Sequence, residues 1–157
     1  MISDAVLSPC GTYRYWLKRL WDCRLALLNV IMLNPSTADA TQDDPTIRRC
    51  LGFAHDLGFG SLEVTNLYAL RSTDPKALVF HPDPVGPEND EHIISVSKRC
   101  HMTICAWGTG DRRNRAHPVL EMLRGIGITP HTLKLTKGGC PSHPLYLPRG
   151  LQPVRML

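Results

Sequence analysis

Two amides and an imidazole stand out as residues able to do chemistry. Asn34 is followed by Pro35 and Ser36, Asn66 ends an apolar segment, and His143 precedes a proline. An amide both donates and accepts hydrogen bonds, and at the end of a buried strand it is costly without partners. A lone histidine on a loop is usually inert. These three residues can form one site only if the fold brings them together.

The hydropathy pattern predicts the elements that would position these residues. Strands are predicted at 12–20, 24–33, 62–67, 102–107 and 131–135, and helices at 46–57, 88–99 and 117–124. This alternation predicts an α/β fold, a three-layer α/β/α sandwich with a central, mostly parallel four-stranded sheet. The first two strands are expected to form an N-terminal edge hairpin. Ligands of such sheets bind at the carboxyl ends of the strands, here at Asn34, Asn66, Gly108 and Lys137.

Composition sets the class of protein. The 157 residues are 43% hydrophobic and 20% charged, which predicts one globular domain over 1–157. The apolar run at 25–33 is far shorter than the ~20 residues that span a bilayer, and the N-terminus lacks a signal-peptide pattern, so we expect a cytoplasmic protein without membrane contact. Six cysteines without a CxxC pair argue against a metal site, and we expect no metal, no cofactor and no obligate protein partner.

Basic residues are concentrated in the last third of the chain. Residues 112–157 contain eight Lys and Arg against Glu121 alone, within a net charge of +4. This pattern fits either a solvated basic face or a site for a polyanion such as DNA. The candidates for backbone contacts are Arg112, Arg113, Arg149, Ser142, and the Lys137-Gly138 turn, where glycine permits close approach of a phosphate.

The motif order carries a family resemblance over 24–148. The segments that carry it are Leu33-Asn34-Pro35-Ser36-Thr37-Ala38-Asp39, Asp44-Pro45-Thr46, Asn66-Leu67-Tyr68-Ala69-Leu70-Arg71 and Asp83-Pro84-Val85-Gly86-Pro87. They look like a bacterial and phage family catalogued only as a domain of unknown function, DUF1643. The same order resembles the uracil-DNA glycosylase superfamily, in which one strand ends in a polar-Pro motif, another ends in Asn, and a late loop contains His-Pro.

The first motif is similar to that of the mismatch-specific thymine/uracil branch. Hydrolysis of an N-glycosidic bond needs one water beneath the anomeric carbon, and Asn34 can hold it. The uracil-specific branch has Asp at this place and a bulky Tyr two residues later, whereas the mismatch-specific branch has Asn-Pro-Gly. The small Ser36 leaves room beside C5 of a flipped pyrimidine. The resemblance therefore implies a C5-substituted base.

The resemblance also implies roles for the later motifs. Asn66 would read the Watson–Crick edge of the base, with Tyr68 as a stacking face, and His143 would stabilise charge on the leaving base. Leu147 would wedge into the stack where the base has left. Leu145 stands where the superfamily has Ser, and Ser142 is the expected replacement for that phosphate contact.

Several acidic and basic residues leave alternatives open. Asp39 and Asp43 are candidate carboxylates that would assist Asn34, or they belong to a solvated loop. Asp44 is predicted to cap the helix at 46–57. Lys137 could attack the sugar as an amine, but the resembled superfamily is monofunctional, which favours attack by water.

These observations predict a monofunctional DNA glycosylase that acts on a flipped, C5-modified pyrimidine. Glucosylated hydroxymethylcytosine of phage DNA is the candidate base, which implies an anti-phage defence role. Two alternatives remain: a hydrolase or transferase of free modified nucleotides, and a non-catalytic nucleic-acid-binding module. A strongly salt-dependent affinity for long DNA would argue against the free nucleotide.

Overall fold

The computed structural model describes residues 1–156. This part of the chain contains seven strands, four α-helices and one 3-10 turn. In chain order the elements are β1 (Ile2–Leu7), β2 (Arg14–Leu20), β3 (Leu27–Met32), α1 (Pro45–Asp56), β4 (Ser61–Asn66), α2 (Ala77–Phe80), α3 (Asn89–Arg99), β5 (Met102–Cys105), α4 (Ala116–Gly125), β6 (Pro130–Thr132), the 3-10 turn (Pro144–Tyr146) and β7 (Val154–Arg155). The strands form one sheet in the order β1-β2-β4-β3-β5-β6-β7. The four inner strands β4, β3, β5 and β6 run parallel, and the flanking pairs are antiparallel.

The N-terminal hairpin differs from the prediction. β2 pairs with β1 on one side and, antiparallel, with β4 on the other, so it does not pair with β3. The predicted pairing of 12–20 with 24–33 is therefore wrong. β3 is buried along nearly its whole length, which requires a strand on each side, and β4 and β5 supply them. The predicted sheet also lacked the edge strands β1 and β7, which are largely exposed and carry little apolar pattern.

Helix α1 shows how local sequence sets an element beside the site. The Asp44 side chain accepts a hydrogen bond from the backbone N–H of Ile47 at 2.9 Å, and Pro45 occupies the first turn. The helix ends before Gly58, whose φ of 82° suits a residue without a Cβ. The predicted capping role of Asp44 is confirmed. Because the cap fixes where the helix begins, it also fixes the position of this carboxylate.

The apolar side chains divide between the two faces of the sheet. Along β3, Val30 packs in a cluster with Phe53 of α1, whereas the next residue, Ile31, packs in a cluster with Ile93 of α3 and Leu123 of α4. Successive residues of a strand point to opposite faces. Helix α1 therefore covers one face, and α3 and α4 cover the other. Within the described residues, every helix is too short or too polar to cross a bilayer.

An ion pair between the exposed Arg99 and the buried Glu63 holds α3 against β4. The fully buried carboxylate of Glu63 accepts hydrogen bonds from Arg99, Trp16 and Cys100. Burial alone would raise the pKa of Glu63, but these hydrogen bonds, that from Arg99 foremost, outweigh it and lower the pKa. This polar network lies on the face of the sheet opposite α1 and fixes β4, whose last residue is Asn66.

Candidate active site

A cavity of about 250 Å³ lies at the carboxyl ends of β3 and β4, beside the start of α1. It is lined by Arg14, Met32, Leu33, Asn34, Pro35, Ser36, Asp44, Thr46, Ile47, Val64, Asn66, Ser72, Thr73, Pro75 and His143. Asn34, Asn66 and His143, which are far apart along the chain, thus share one cavity. Pro35 and Ser36, the other residues of the first motif, also line it.

Asn66 is a buried amide without a hydrogen-bond partner among the described residues. Its side chain is 1% exposed, and neither its Nδ2 nor its Oδ1 atom has a hydrogen bond to any described residue. The backbone carbonyl of Asn66 accepts a hydrogen bond from Asn89 Nδ2 at 2.9 Å, which fixes the end of β4. Buried amides almost always have partners, since an unpaired one is costly. The partners of Asn66 must therefore come from whatever fills the cavity.

The amide of Asn34 is fixed by backbone carbonyls. Its Nδ2 atom lies 3.1, 3.3 and 3.0 Å from the carbonyl oxygens of Pro35, Leu70 and Ser72. These acceptors orient the NH₂ group toward the loop, which leaves Oδ1 as the free end of the amide. Asn34 therefore offers a fixed acceptor, which is the group needed to orient a water molecule for attack.

His143 is a neutral hydrogen-bond donor. Its Nδ1 atom accepts from the backbone N–H of Leu145 at 3.2 Å, so the neutral ring carries its proton on Nε2. Burial lowers the pKa of His143, although the Asp44 carboxylate opposes the shift. Gly108 does not line the cavity, and a Cβ at this position would lie 3.4 Å from the Cβ of His143. The predicted substrate-binding residue Gly108 therefore packs beside His143 and has no contact with the cavity.

Two charged residues of the cavity were not predicted as site residues. Arg14 is 2% exposed and donates from Nη1 to the carbonyl of Ala38 at 2.9 Å. Burial lowers the pKa of Arg14 to about 10, with Asp44 as the largest opposing influence, so the guanidinium stays charged at neutral pH. Asp44 caps α1 and also lines the cavity. The pairing of β2 with β4 places Arg14 beside the end of β4. The predicted pairing of β2 with β3 gave no reason to expect Arg14 there.

Three predicted residues lie outside the cavity because their side chains are engaged elsewhere. Tyr68 packs in the cluster under α3 and α4 and donates its hydroxyl to Asp111, so it offers no stacking face to the cavity. Asp39 accepts hydrogen bonds from the backbone N–H groups of the turn that follows it. Asp43 pairs with Arg19 at 2.9 Å. The carboxylate that does line the cavity is Asp44.

The exposed apolar side chain on the His143 loop belongs to Tyr146. Leu147, predicted as the wedge, is 8% exposed and packs in the cluster beneath α1, so it has no free surface to insert between bases. Tyr146, one residue earlier, is 88% exposed. The 3-10 turn at 144–146 produces this difference, because it turns residue 146 outward and residue 147 inward.

The predicted backbone-binding residues lie outside the cavity. Lys137 and Gly138 form an exposed turn, Ser142 follows it at intermediate exposure, and Arg112 is exposed. Arg113 donates to the backbone of α2 and of the residue after it, and Arg149 pairs with Asp56 at 2.8 Å. A second cavity of about 230 Å³ lies along α1 and contains three arginines, Arg48, Arg49 and Arg149. Within the described residues, no three His, Cys, Asp or Glu side chains group as a metal site.

Comparison with known proteins gives one family. A family model described as "Protein of unknown function (DUF1643)" matches residues 14–145. This span contains the cavity-lining amides and His143. No match was found among the curated proteins or the solved structures.

Proposed function

We propose that this chain, which belongs to the DUF1643 family, is a monofunctional DNA glycosylase. It hydrolyses the N-glycosidic bond of a flipped pyrimidine modified at C5 and leaves an abasic site. The observation that carries the proposal is Asn66, whose buried amide has no partner in the part of the chain that the structure describes and lines a cavity shared with Asn34 and His143. An amide so placed suits a ligand with alternating donors and acceptors along one edge, as a pyrimidine has.

Asn66 holds the base, and Asn34 and His143 take part in the chemical step. Asn34 Oδ1 accepts a hydrogen bond from the attacking water and directs its oxygen toward the anomeric carbon. A bond forms between that oxygen and the carbon, the bond to the base nitrogen breaks, and the base leaves with the electron pair. His143 donates from Nε2 to the departing base, and the water's released proton neutralises it.

Selectivity for a C5 substituent follows from the small residue in the first motif. Ser36 lines the cavity and has a short side chain, so it leaves room for a group on C5. The helices on both faces of the parallel strands support a three-layer fold of the uracil-DNA glycosylase type. Glucosylated hydroxymethylcytosine in phage DNA is the proposed natural substrate, and anti-phage defence is the corresponding role.

The proposal is tested by incubating the protein with genomic DNAs that carry different natural pyrimidine modifications and identifying the freed bases by mass spectrometry. We expect release of a C5-modified base and little release from unmodified DNA. Release from free modified nucleotides but not from DNA would favour the nucleotide-hydrolase alternative. DNA binding without any release would favour the non-catalytic alternative, and either result would overturn the proposal.

Replacement of Tyr146 by alanine tests the wedge. Tyr146 is exposed on the loop that carries His143, so we propose that it fills the gap left by the flipped base. Extrusion costs a few kcal/mol in duplex DNA and less in a single strand. We expect the variant to lose about 10-fold or more in single-turnover rate on duplex DNA and little on single-stranded DNA.

The matched control is Ile2→Ala, which removes an exposed apolar side chain at the opposite end of the strands. It should leave both rates unchanged. Equal losses for Tyr146→Ala on duplex and single-stranded DNA would argue against a wedge.

The rate of base release should depend on the neutral form of His143. Its pKa lies below the ordinary 6.5 because the ring is buried. Protonation of Nδ1 breaks the hydrogen bond from Leu145, so kcat/KM should decline on the acid side with a midpoint below pH 6.5. A His143→Gln variant should lack this acid limb. A decline centred above pH 6.5, or an acid limb that persists in the variant, would contradict the assignment.

A further inference from the structure

Arg14 is a buried cation with an unused donor. Its guanidinium donates from Nη1 to the carbonyl of Ala38, whereas its Nε has no hydrogen-bond partner among the described residues. The side chain is 2% exposed and lines the same cavity as Asn66 and Asn34. It forms no ion pair within 4.0 Å with any described carboxylate.

A charge in this position is expensive to maintain. When a buried arginine has no direct carboxylate partner, only weaker contacts offset the free-energy cost of its desolvation. The opposing charge in this cavity is Asp44, one of whose oxygens is already used by the cap of α1. A neutral ligand recovers little of this cost, but a ligand that becomes negative recovers much more.

We propose that Arg14 stabilises the negative charge that develops on the base as the glycosidic bond breaks. This inference rests on the proposed glycosylase function. The electron pair of the bond moves onto the base and spreads over its ring nitrogens and exocyclic oxygens. The Nε–H group of Arg14 donates to one of these atoms, and Arg14 keeps its proton throughout. The water that adds to the sugar supplies the proton that later neutralises the base.

The contribution is larger in the transition state than in the bound substrate. The base is neutral before the bond breaks and anionic as it leaves, so the guanidinium gains most when the charge is largest. Arg14 therefore acts chiefly on the rate of the chemical step and little on DNA affinity. It also makes the rate less sensitive to how readily a given base carries negative charge.

The test compares the wild-type protein with Arg14→Met and Arg14→Lys on oligonucleotides that each contain one C5-substituted pyrimidine. The substituents run from electron-withdrawing fluoro and bromo groups to hydroxymethyl and methyl. We expect Arg14→Met to lower the single-turnover rate by roughly 10²-fold. The loss should be greatest for the poorest leaving groups, so the slope of log rate against base acidity becomes steeper. Arg14→Lys, which keeps the charge, should recover part of the loss.

Arg19→Met is the matched control. Arg19 lies on the same strand, is also 2% exposed, and donates to the backbone and to Asp43 outside the cavity. Loss of the Arg19 side chain should lower the stability of the protein without changing the slope of log rate against base acidity. An Arg14→Met variant that slows all substrates by the same factor would show that Arg14 has a structural role only. That result would overturn the inference.

A binding measurement separates this inference from the proposed function. Free 5-fluorouracil should bind the wild-type protein more tightly as rising pH ionises the base. This gain should be smaller in Arg14→Met at every pH and in Arg14→Lys above the pH at which the lysine titrates, because only the donor of His143 then remains. Absence of the gain in the wild-type protein overturns the inference even where base release is observed. Its presence without base release from any DNA supports an anion site at Arg14 and overturns the glycosylase.

Discussion

Replacing Asn66 by alanine is expected to lower the rate of base release by roughly 10²-fold or more, while leaving the free energy of unfolding nearly unchanged. The amide makes no hydrogen bond to the described protein, so its loss breaks none. The bound base, by contrast, loses both partners that the amide offers. When one partner of such a buried hydrogen bond is removed, the rate of the catalysed reaction falls by roughly 10²-fold or more. Single-turnover release and urea unfolding measure the two effects.

Asn29→Ala is the matched control for Asn66. Asn29 is equally buried, but its amide donates to Ser97 at 3.2 Å and accepts from Thr65, on the face of the sheet away from the cavity. We expect it to cost about 1–3 kcal/mol in stability, because buried partners are left unpaired, and to leave the release rate of folded protein intact. Asn66→Ala would contradict the account if it destabilised the protein as much as Asn29→Ala or released the base at the wild-type rate.

Replacing Asn34 by alanine is the second prediction with a large expected effect. The variant loses the acceptor that orients the water, and we expect the rate of release to fall by roughly 10³-fold while DNA affinity changes little. It also loses the contacts of Nδ2 with three carbonyls, so stability should fall as well. Rates are therefore compared at a temperature where both proteins are folded.

The Asn34→Ala and Asn66→Ala variants should differ in their effect on stability. Asn34→Ala should lower both rate and stability, whereas Asn66→Ala should lower the rate alone. If Asn34→Ala released the base at a rate within a few-fold of wild type, water positioning by Asn34 would be refuted. If it lost DNA affinity in step with rate, the side chain would serve binding instead.

The sequence predicted the elements that have a strong apolar period. The helices α1, α3 and α4 and the parallel strands were found because each buries one face or both. The pairing of β2 was mispredicted because the exposed strand β1 carries little hydropathy signal. Pairing of strands depends on contacts across the sheet, and a pattern along one segment does not contain that information.

The same distinction applies to the cavity. Asn34 and Asn66 were expected together because parallel strands end at the same edge, and they do line one cavity. Tyr68 was misplaced because β4 ends at Asn66 and the chain then turns, so strand alternation no longer tells which face residue 68 occupies. Arg14 was missed because its place in the cavity depends on the pairing of β2 with β4.

The most direct test of the account is a structure of the protein bound to duplex DNA that contains one C5-modified pyrimidine on a hydrolysis-resistant, 2′-fluorinated sugar. We expect this base to leave the stack and enter the cavity, with the Asn66 amide about 2.7–3.2 Å from its hydrogen-bonding edge. His143 Nε2 should lie beside the base, and Asn34 Oδ1 on the side of the anomeric carbon. A base that stays stacked, or one that is held away from Asn66, would contradict the account.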